Sequence, residues 1–307
     1  MNIVSLLPSA TEIVCALGMG DRLVGVSHCC DYPPSVRHLP KVTRTHVPYR
    51  ADSRTIDDHV RRHLAGHQAL YDLDIEALAV AKPDVVVSQA LCDVCAVATG
   101  EVDDAIRALP GRPTLIDLTP NTLDDVFADI ETVANGLNAG GAGAALVRSL
   151  RERRDRVVGR TNTIAEDERP NVAFLEWLIP PFNGGHWNPE LVALAGGRDL
   201  LGSRANPSST LNWKTVVETR PDVVFVACCG FTVERAMQDV DIVRTAATWN
   251  ALPAVKQGRV YVADGNAYFA SPGPRLIDGL EILAHALHPG LHERPPHYDC
   301  RVVSATQ

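Results

Sequence analysis

The sequence is poor in aromatic residues, which make up 5% of its 307 positions, and it holds only 3 methionines and 4 tryptophans. Its cores must therefore be aliphatic, and an aromatic side chain placed outside a strand or helix stands out as a candidate ligand contact. No stretch approaches about 18 uninterrupted apolar residues, which excludes a membrane-spanning helix. A Walker loop, a GxGxxG fingerprint and a Ser-His-Asp arrangement are all missing, so no catalytic motif supports an enzymatic reading. Met1-Asn2 leads at once into Ile3-Val4-Ser5-Leu6-Leu7, with no basic leader or small-residue cleavage site. That opening reads as the first strand of the fold, and the expected compartment is the cytoplasm. The net charge of −8 disfavours nonspecific contact with nucleic acid or acidic membranes. The densest basic run, Arg151, Arg153, Arg154 and Arg156, reads as a solvated helix face.

What remains is apolar material: 46% hydrophobic residues over a length that suits two α/β lobes. Short aliphatic runs predict strands at Ile3 to Leu7, Leu23 to Val26, Val85 to Ser88, Thr114 to Leu118, Val172 to Glu176, Val223 to Ala227 and Val260 to Ala263. Helical spacing separates them at Thr11 to Leu17, Ile75 to Ala81 and Glu190 to Ala195. The class is α/β with mainly parallel sheets. A weak duplication supports two similar lobes. Ala81-Lys82-Pro83-Asp84-Val85-Val86-Val87 is echoed by Thr219-Arg220-Pro221-Asp222-Val223-Val224-Phe225. In both, proline stops a helix, aspartate starts a turn and an aliphatic run becomes a buried strand.

These patterns divide the chain into an N-terminal lobe (1–120), a connecting helix (121–165), a C-terminal lobe (166–290) and a tail (291–307). The connection is expected as one long helix, broken or loosened near 138–143 by glycine and allowing little hinge motion. The segment 43–74 is polar and carries His46, His59, His63 and His67. The last three recur every four residues and are expected on one helix face, in an exposed helix or lid.

In parallel α/β sheets the loops after the strands' carboxyl ends build the binding site. That rule selects Pro8, Ser9 and Ala10 after the first strand, and Ser27, His28, Cys29, Cys30, Asp31 and Tyr32 after the second. It also selects Gln89 and the segment to Cys95, Cys228-Cys229-Gly230-Phe231, Trp177, the segment 180–187 with His186 and Trp187, and the segment 266–271 with Tyr268. Ser9 and Glu12 equally suit a capping box on the first helix.

The ordered set Ser5-Leu6-Leu7-Pro8-Ser9-Ala10-Thr11-Glu12, Val24-Gly25-Val26-Ser27, Asp31-Tyr32-Pro33-Pro34 and Lys82-Pro83-Asp84-Val85-Val86 resembles the vitamin B12 and iron-siderophore substrate-binding proteins of ABC importers. The cobalamin branch is the more similar, and the resemblance runs from Ile3 to about Leu287. It implies two Rossmann-like lobes joined by one long rigid α-helix, with cobalamin or a related corrinoid in the cleft between them. By the same resemblance, Pro8 to Ala10, Ser27 to Tyr32, Trp187, Phe231 and Tyr268 would contact the ligand, and an ABC importer or a corrinoid-using enzyme would be the partner. The chain departs from this pattern in its export signal, its cysteines and its His-rich 43–74 segment.

Cys29, Cys92, Cys95, Cys228 and Cys229 stand just beyond predicted strands and, if the lobes face each other, offer ligands, with His28 and His186, to zinc, to another thiophilic metal or to a corrinoid's cobalt. Two readings therefore stay open: a corrinoid-binding protein, either an intracellular carrier or a transport-related solute-binding protein, or a cysteine-based metal or redox protein, with enzymatic activity open, built on the same fold.

Overall fold

Aliphatic runs without polar alternation become parallel strands buried on both faces, as in Val85–Gln89 and Val223–Val226, where every residue is buried. A computed structural model describes residues 1–89, 99–109 and 111–303. It divides the chain into two units, 1–120 with 124–149, and 121–123 with 150–307.

In the first unit the order is β1 (Ile3–Ser5), α1 (Pro8–Ala16), β2 (Leu23–Val26), β3 (Thr43–Thr45), α2 (Ser53–Ala65), β4 (Tyr71–Leu73), α3 (Ile75–Ala81), β5 (Val85–Gln89), α4 (Thr99–Ala108) and β6 (Thr114–Leu118). Then come α5 (Leu123–Gly136) and α6 (Gly140–Thr161). The sheet runs β2-β1-β5-β6 and is parallel throughout, so the winding direction reverses between β1 and β5. A ligand crevice forms at such a reversal, beyond the strands' carboxyl ends.

The second unit contains β7 (Asn171–Leu178), β8 (Pro181–Asn183), α7 (Asn188–Leu194), β9 (Arg198–Asp199), α8 (Trp213–Glu218), β10 (Val223–Val226) and α9 (Val233–Val243). It continues through α10 (Ala247–Asn250), α11 (Pro253–Lys256), β11 (Val260–Ala263), α12 (Gly265–Tyr268), α13 (Leu276–Leu287) and β12 (Cys300–Val303). Its sheet runs β12-β11-β10-β7-β8, with β9 also paired to β7. β7, β10 and β11 are parallel, and β8 and β12 are antiparallel additions.

The sequence echo has a common structural cause. Lys82 and Arg220 both take left-handed backbone, at φ 45° and 49°, and turn the chain into the proline. Asp84 and Asp222 then each close a two-point clasp on the strand alongside. The Asp84 carboxylate accepts from the N–H of Asn2 (2.7 Å), while its own N–H donates to the Asn2 carbonyl (2.8 Å). Asp222 repeats this with Asn171 at 2.9 and 2.8 Å. The aspartate thus fixes the register of β5 on β1 and of β10 on β7. Asp222→Ala should cost about 1.5 kcal/mol, since it strips a charged acceptor from a part-buried N–H. Asp84→Ala should cost less than about 0.5 kcal/mol, because its carboxylate is 63% exposed. Chemical denaturation of the two variants would reverse this ranking only if the clasp were incidental.

Three expectations need correction, and the break expected in the connecting helix is located. The capping box does not form: Pro8 opens α1 at the position where its missing N–H costs nothing, Leu7 is the cap residue, and Ser9 and Glu12 are buried inside the helix. The connection is two helices, α5 and α6. The break falls at 137–139, where Asn138 takes φ 59°, ahead of the glycine run. Those glycines start α6, and a Cβ on Gly143 would overlap that of Ala134, so Gly143 permits close packing of α6 on α5. His67 lies past the end of α2 at φ 52° and shares no helix face with His59 and His63, whose rings stack at 3.9 Å. Finally, the C-terminal tail carries β12, which pairs with β11 from Val260↔Val303 to Ala263↔Cys300.

Candidate functional site

In the first unit, the carboxyl edge of the sheet is a hydrogen-bonded rim. The Thr11 hydroxyl at the start of α1 donates to Ser5 Oγ (2.8 Å) and lies 3.1 Å from Cys30 Sγ. Ser5 in turn donates to the Leu7 carbonyl (2.9 Å). Lys41 Nζ reaches the Cys30 carbonyl (2.8 Å) and Arg37 Nε the Asp31 carbonyl (2.8 Å), which holds the loop after β2 in place. Ser9, Ala10, Ser27 and Gln89 are buried in this rim, whereas Asp31 and Tyr32 are exposed.

His28 is the chemically distinctive group. Thr43 Oγ1, at the start of β3, donates to Ser27 Oγ (3.1 Å) and receives the His28 backbone N–H (2.9 Å). With its one proton committed to Ser27, this hydroxyl can only accept at His28 Nδ1, 2.8 Å away. The imidazole is thereby held as the Nδ1–H tautomer, leaving a lone pair on Nε2. That Nε2 atom is buried and has no hydrogen-bond partner among the described residues. Burial, with a contribution from the Lys41 charge, lowers the His28 pKa and keeps the ring neutral. The ring stacks on Tyr71 at 5.5 Å and leans toward Tyr49 at 6.5 Å, and the two tyrosine hydroxyls meet at 3.0 Å. Tyr49 and Tyr71 were missed by sequence reading because they belong to the polar 43–74 segment. That segment is an anchored element, with Val47, Ile56, Leu70, Tyr71 and Leu73 buried and β3 paired to β4.

In the second unit the corresponding edge carries Trp177, Cys228, Phe231 and Tyr268. Trp177 and Phe231 pack against each other at 4.7 Å, both buried, with the Arg235 guanidinium 4.1 Å above the Phe231 ring. Trp187 is also buried, its indole N–H donating to the Phe269 carbonyl (2.8 Å). These three side chains pack within the unit. Tyr268 remains part-exposed, its hydroxyl donating to the His297 carbonyl at 3.3 Å. His186 takes φ 52°, stacks on Trp187 and buries an Nδ1 that has no hydrogen-bond partner among the described residues. Glu176 ties the edge together by accepting from the Gly185 N–H (2.8 Å) and Asn188 Nδ2 (2.6 Å). Burial raises its pKa, and these hydrogen bonds oppose the rise.

Cys92 and Cys95 lie outside the described residues. Among the described residues no cysteine joins a group of three potential metal ligands, so the zinc reading finds no support in Cys29, Cys228 or Cys229. Burial pushes the Cys30 thiol up to about 12 and raises that of Cys228 as well, so both are neutral thiols at pH 7. In the native protein a water-soluble disulfide reagent should label exposed Cys229 and leave Cys30 and Cys228 untouched until denaturant is added. Peptide mapping that found Cys228 modified as fast as Cys229 would contradict this.

Residues 3–267 match the family described as "Periplasmic binding protein". Among curated relatives, the vitamin B12-binding protein of Vibrio cholerae serotype O1 is 26% identical over 284 residues, covering 91% of this chain and 86% of that protein. An uncharacterized ABC transporter substrate-binding lipoprotein of Bacillus subtilis, YvrC, is 26% identical over 294 residues, covering 94% and 80%. Two solved structures share the fold. A periplasmic heme-binding protein from Pseudomonas aeruginosa has a TM-score of 0.75 at 18% identity, covering 100% of this chain and 99% of that one. The periplasmic vitamin B12-binding protein BtuF of Vibrio cholerae has a TM-score of 0.69 at 23% identity, covering 94% and 96%. With an α/β sheet in each of its two units and this match over most of its length, the chain belongs to the periplasmic binding protein family of solute-binding proteins.

Proposed function

We propose that this solute-binding protein takes a corrinoid, cobalamin or a precursor, and presents His28 Nε2 to the corrinoid's cobalt, serving an ABC importer or an intracellular corrinoid-using enzyme. The observation that carries the reading is the unpartnered Nε2 lone pair beside Tyr49 and Tyr71, on the loop edge where ligands of parallel sheets bind. A neutral imidazole whose other nitrogen is fixed by a hydrogen bond is the form that ligates a metal. The aromatic rings beside it offer contact area to a flat macrocycle. The similarity to vitamin B12-binding proteins supports the ligand class. The named heme-binding neighbours favour haem as the second reading, since imidazole and phenol are also iron ligands.

Cobinamide, whose axial waters exchange, separates the readings. Titration into the protein should shift the visible bands of the corrinoid as imidazole replaces water, and His28→Ala should abolish the shift and weaken binding about tenfold or more. Hemin should bind more weakly than cobinamide. Failure of both cobinamide and cobalamin to bind at about 50 μM would overturn the corrinoid reading. Binding with an identical spectrum in the His28→Ala protein would overturn the role of His28.

A further inference from the structure

Away from the sheet edges, the second unit holds a pocket of ≈ 190 Å3 between the C-terminal half of α6, the helix α13 and the segment after it. One water needs about 10–15 Å3 of such space, so there is room for a tetrahedral oxyanion with part of its hydration. Its walls carry four arginines, Arg153, Arg156, Arg160 and Arg294, against two glutamates, Glu281 and Glu293. Arg153 is already neutralised by Asp278 and Glu281. Arg156 and Arg160 have no carboxylate partner among the described residues. They stand four residues apart on one helix face, an arrangement of like charges that destabilises a helix unless something anionic sits between them.

A second, independent feature points the same way. His292 lines the pocket and is only 5% exposed, yet its Nε2 has no hydrogen-bond partner among the described residues. A buried nitrogen without a partner costs free energy that a bound acceptor or donor would return. The segment that carries it runs on into Pro295-Pro296, whose fixed φ angles stiffen that wall. Its carbonyl is held by His285 Nδ1 at 2.8 Å, so the backbone at His292 is pinned before any ligand arrives.

We infer that this pocket is a binding site for a small phosphate-class oxyanion, held by the Arg156 and Arg160 guanidinium groups and by His292 Nε2. Guanidinium groups present paired N–H donors that match the edge of a phosphate. Burial, followed by the charge of Arg160, lowers the His292 pKa to about 4, so the ring is neutral at pH 7. A neutral ring with its proton on Nε2 donates to the anion without adding a buried charge. The site lies in the second unit alone and does not depend on the ligand proposed above.

Inorganic phosphate and glycerol phosphate distinguish a free anion from a phosphate ester. Calorimetry on the full chain in about 50 mM sodium chloride, where screening is modest, should show saturable binding of one or both at about 1 mM or tighter. The tighter of the two identifies the source. Substituting both Arg156→Gln and Arg160→Gln, which are exposed positions, should weaken binding about tenfold or more while leaving the corrinoid titration unchanged and the thermal midpoint no lower, since the like-charge repulsion on α6 is relieved. Absence of saturable binding of either anion up to about 20 mM would overturn the inference. So would an affinity unaltered by the double substitution.

Discussion

Gly265→Ala should destabilise the second unit by about 3 kcal/mol or more, among the larger effects of adding one methyl group. Gly265 opens α12 just beyond β11, and a Cβ built there would run into the carbonyl oxygen of Cys228 at the end of β10. The obstructing atoms are backbone and cannot rotate away. The Cys228 peptide is itself fixed, because the Cys229 N–H donates to the Glu176 carbonyl on β7 (2.9 Å) and the Phe231 N–H returns to the Cys228 carbonyl (3.0 Å). Relief would have to come from parting β10 and β11 at their carboxyl ends, which is the edge that presents Tyr268. The substitution should therefore lower both the denaturation midpoint and ligand affinity. Gly159→Ala is the control of opposite sign. That glycine lies exposed in α6 with nothing near its missing Cβ, so alanine should stabilise by about 0.7 kcal/mol through helix propensity. Urea unfolding that ranked Gly265→Ala as mild as Gly159→Ala would refute the close approach.

The parts of this fold that sequence reveals are those whose cause is local. Leu23–Val26, Thr114–Leu118 and Val260–Ala263 are read to the residue because a short aliphatic run between turn formers has few other options. The Pro-Asp echo is legible for the same reason, though the partner of each aspartate, Asn2 or Asn171, lies far along the chain and has no signature. Misreadings arise where two local rules compete or a distant contact decides. Ser9 and Glu12 satisfy a capping box, but Pro8 claims the first helical position and pushes the cap back to Leu7. β12 is an edge strand of half-exposed residues, visible only once β11 is there to pair with it. The loop rule finds His28, whereas its tautomer depends on Thr43 and its stacking on Tyr71, residues brought to it by a separate two-stranded sheet. Trp187 is marked out in the sequence as scarce and loop-borne, whereas the bond from its indole to the Phe269 carbonyl has no sequence signal.

Arg153→Met should cost about 3 kcal/mol, because it leaves two carboxylates facing each other in a part-buried site. The guanidinium, 25% exposed, meets Asp278 at 2.5 Å and Glu281 at 3.0 Å through Nε and 2.7 Å through Nη2, so one side chain on α6 clamps two positions of α13. With the carboxylates only 19% and 22% exposed, solvent screens their repulsion poorly once the cation is gone. His297, 3.4 Å from Glu281, completes the cluster, but its single charge when protonated cannot replace a two-pronged donor. Arg153→Lys should accordingly recover part of the loss, retaining the charge without the fork. The decisive comparison removes the whole network: with Asp278→Asn and Glu281→Gln added to Arg153→Met, no buried charge is left stranded, and stability should return to within about 1 kcal/mol of the native chain. If the triple variant were as unstable as Arg153→Met alone, the arginine would be contributing through its methylene packing, and the ion network would be incidental to the joining of α6 and α13.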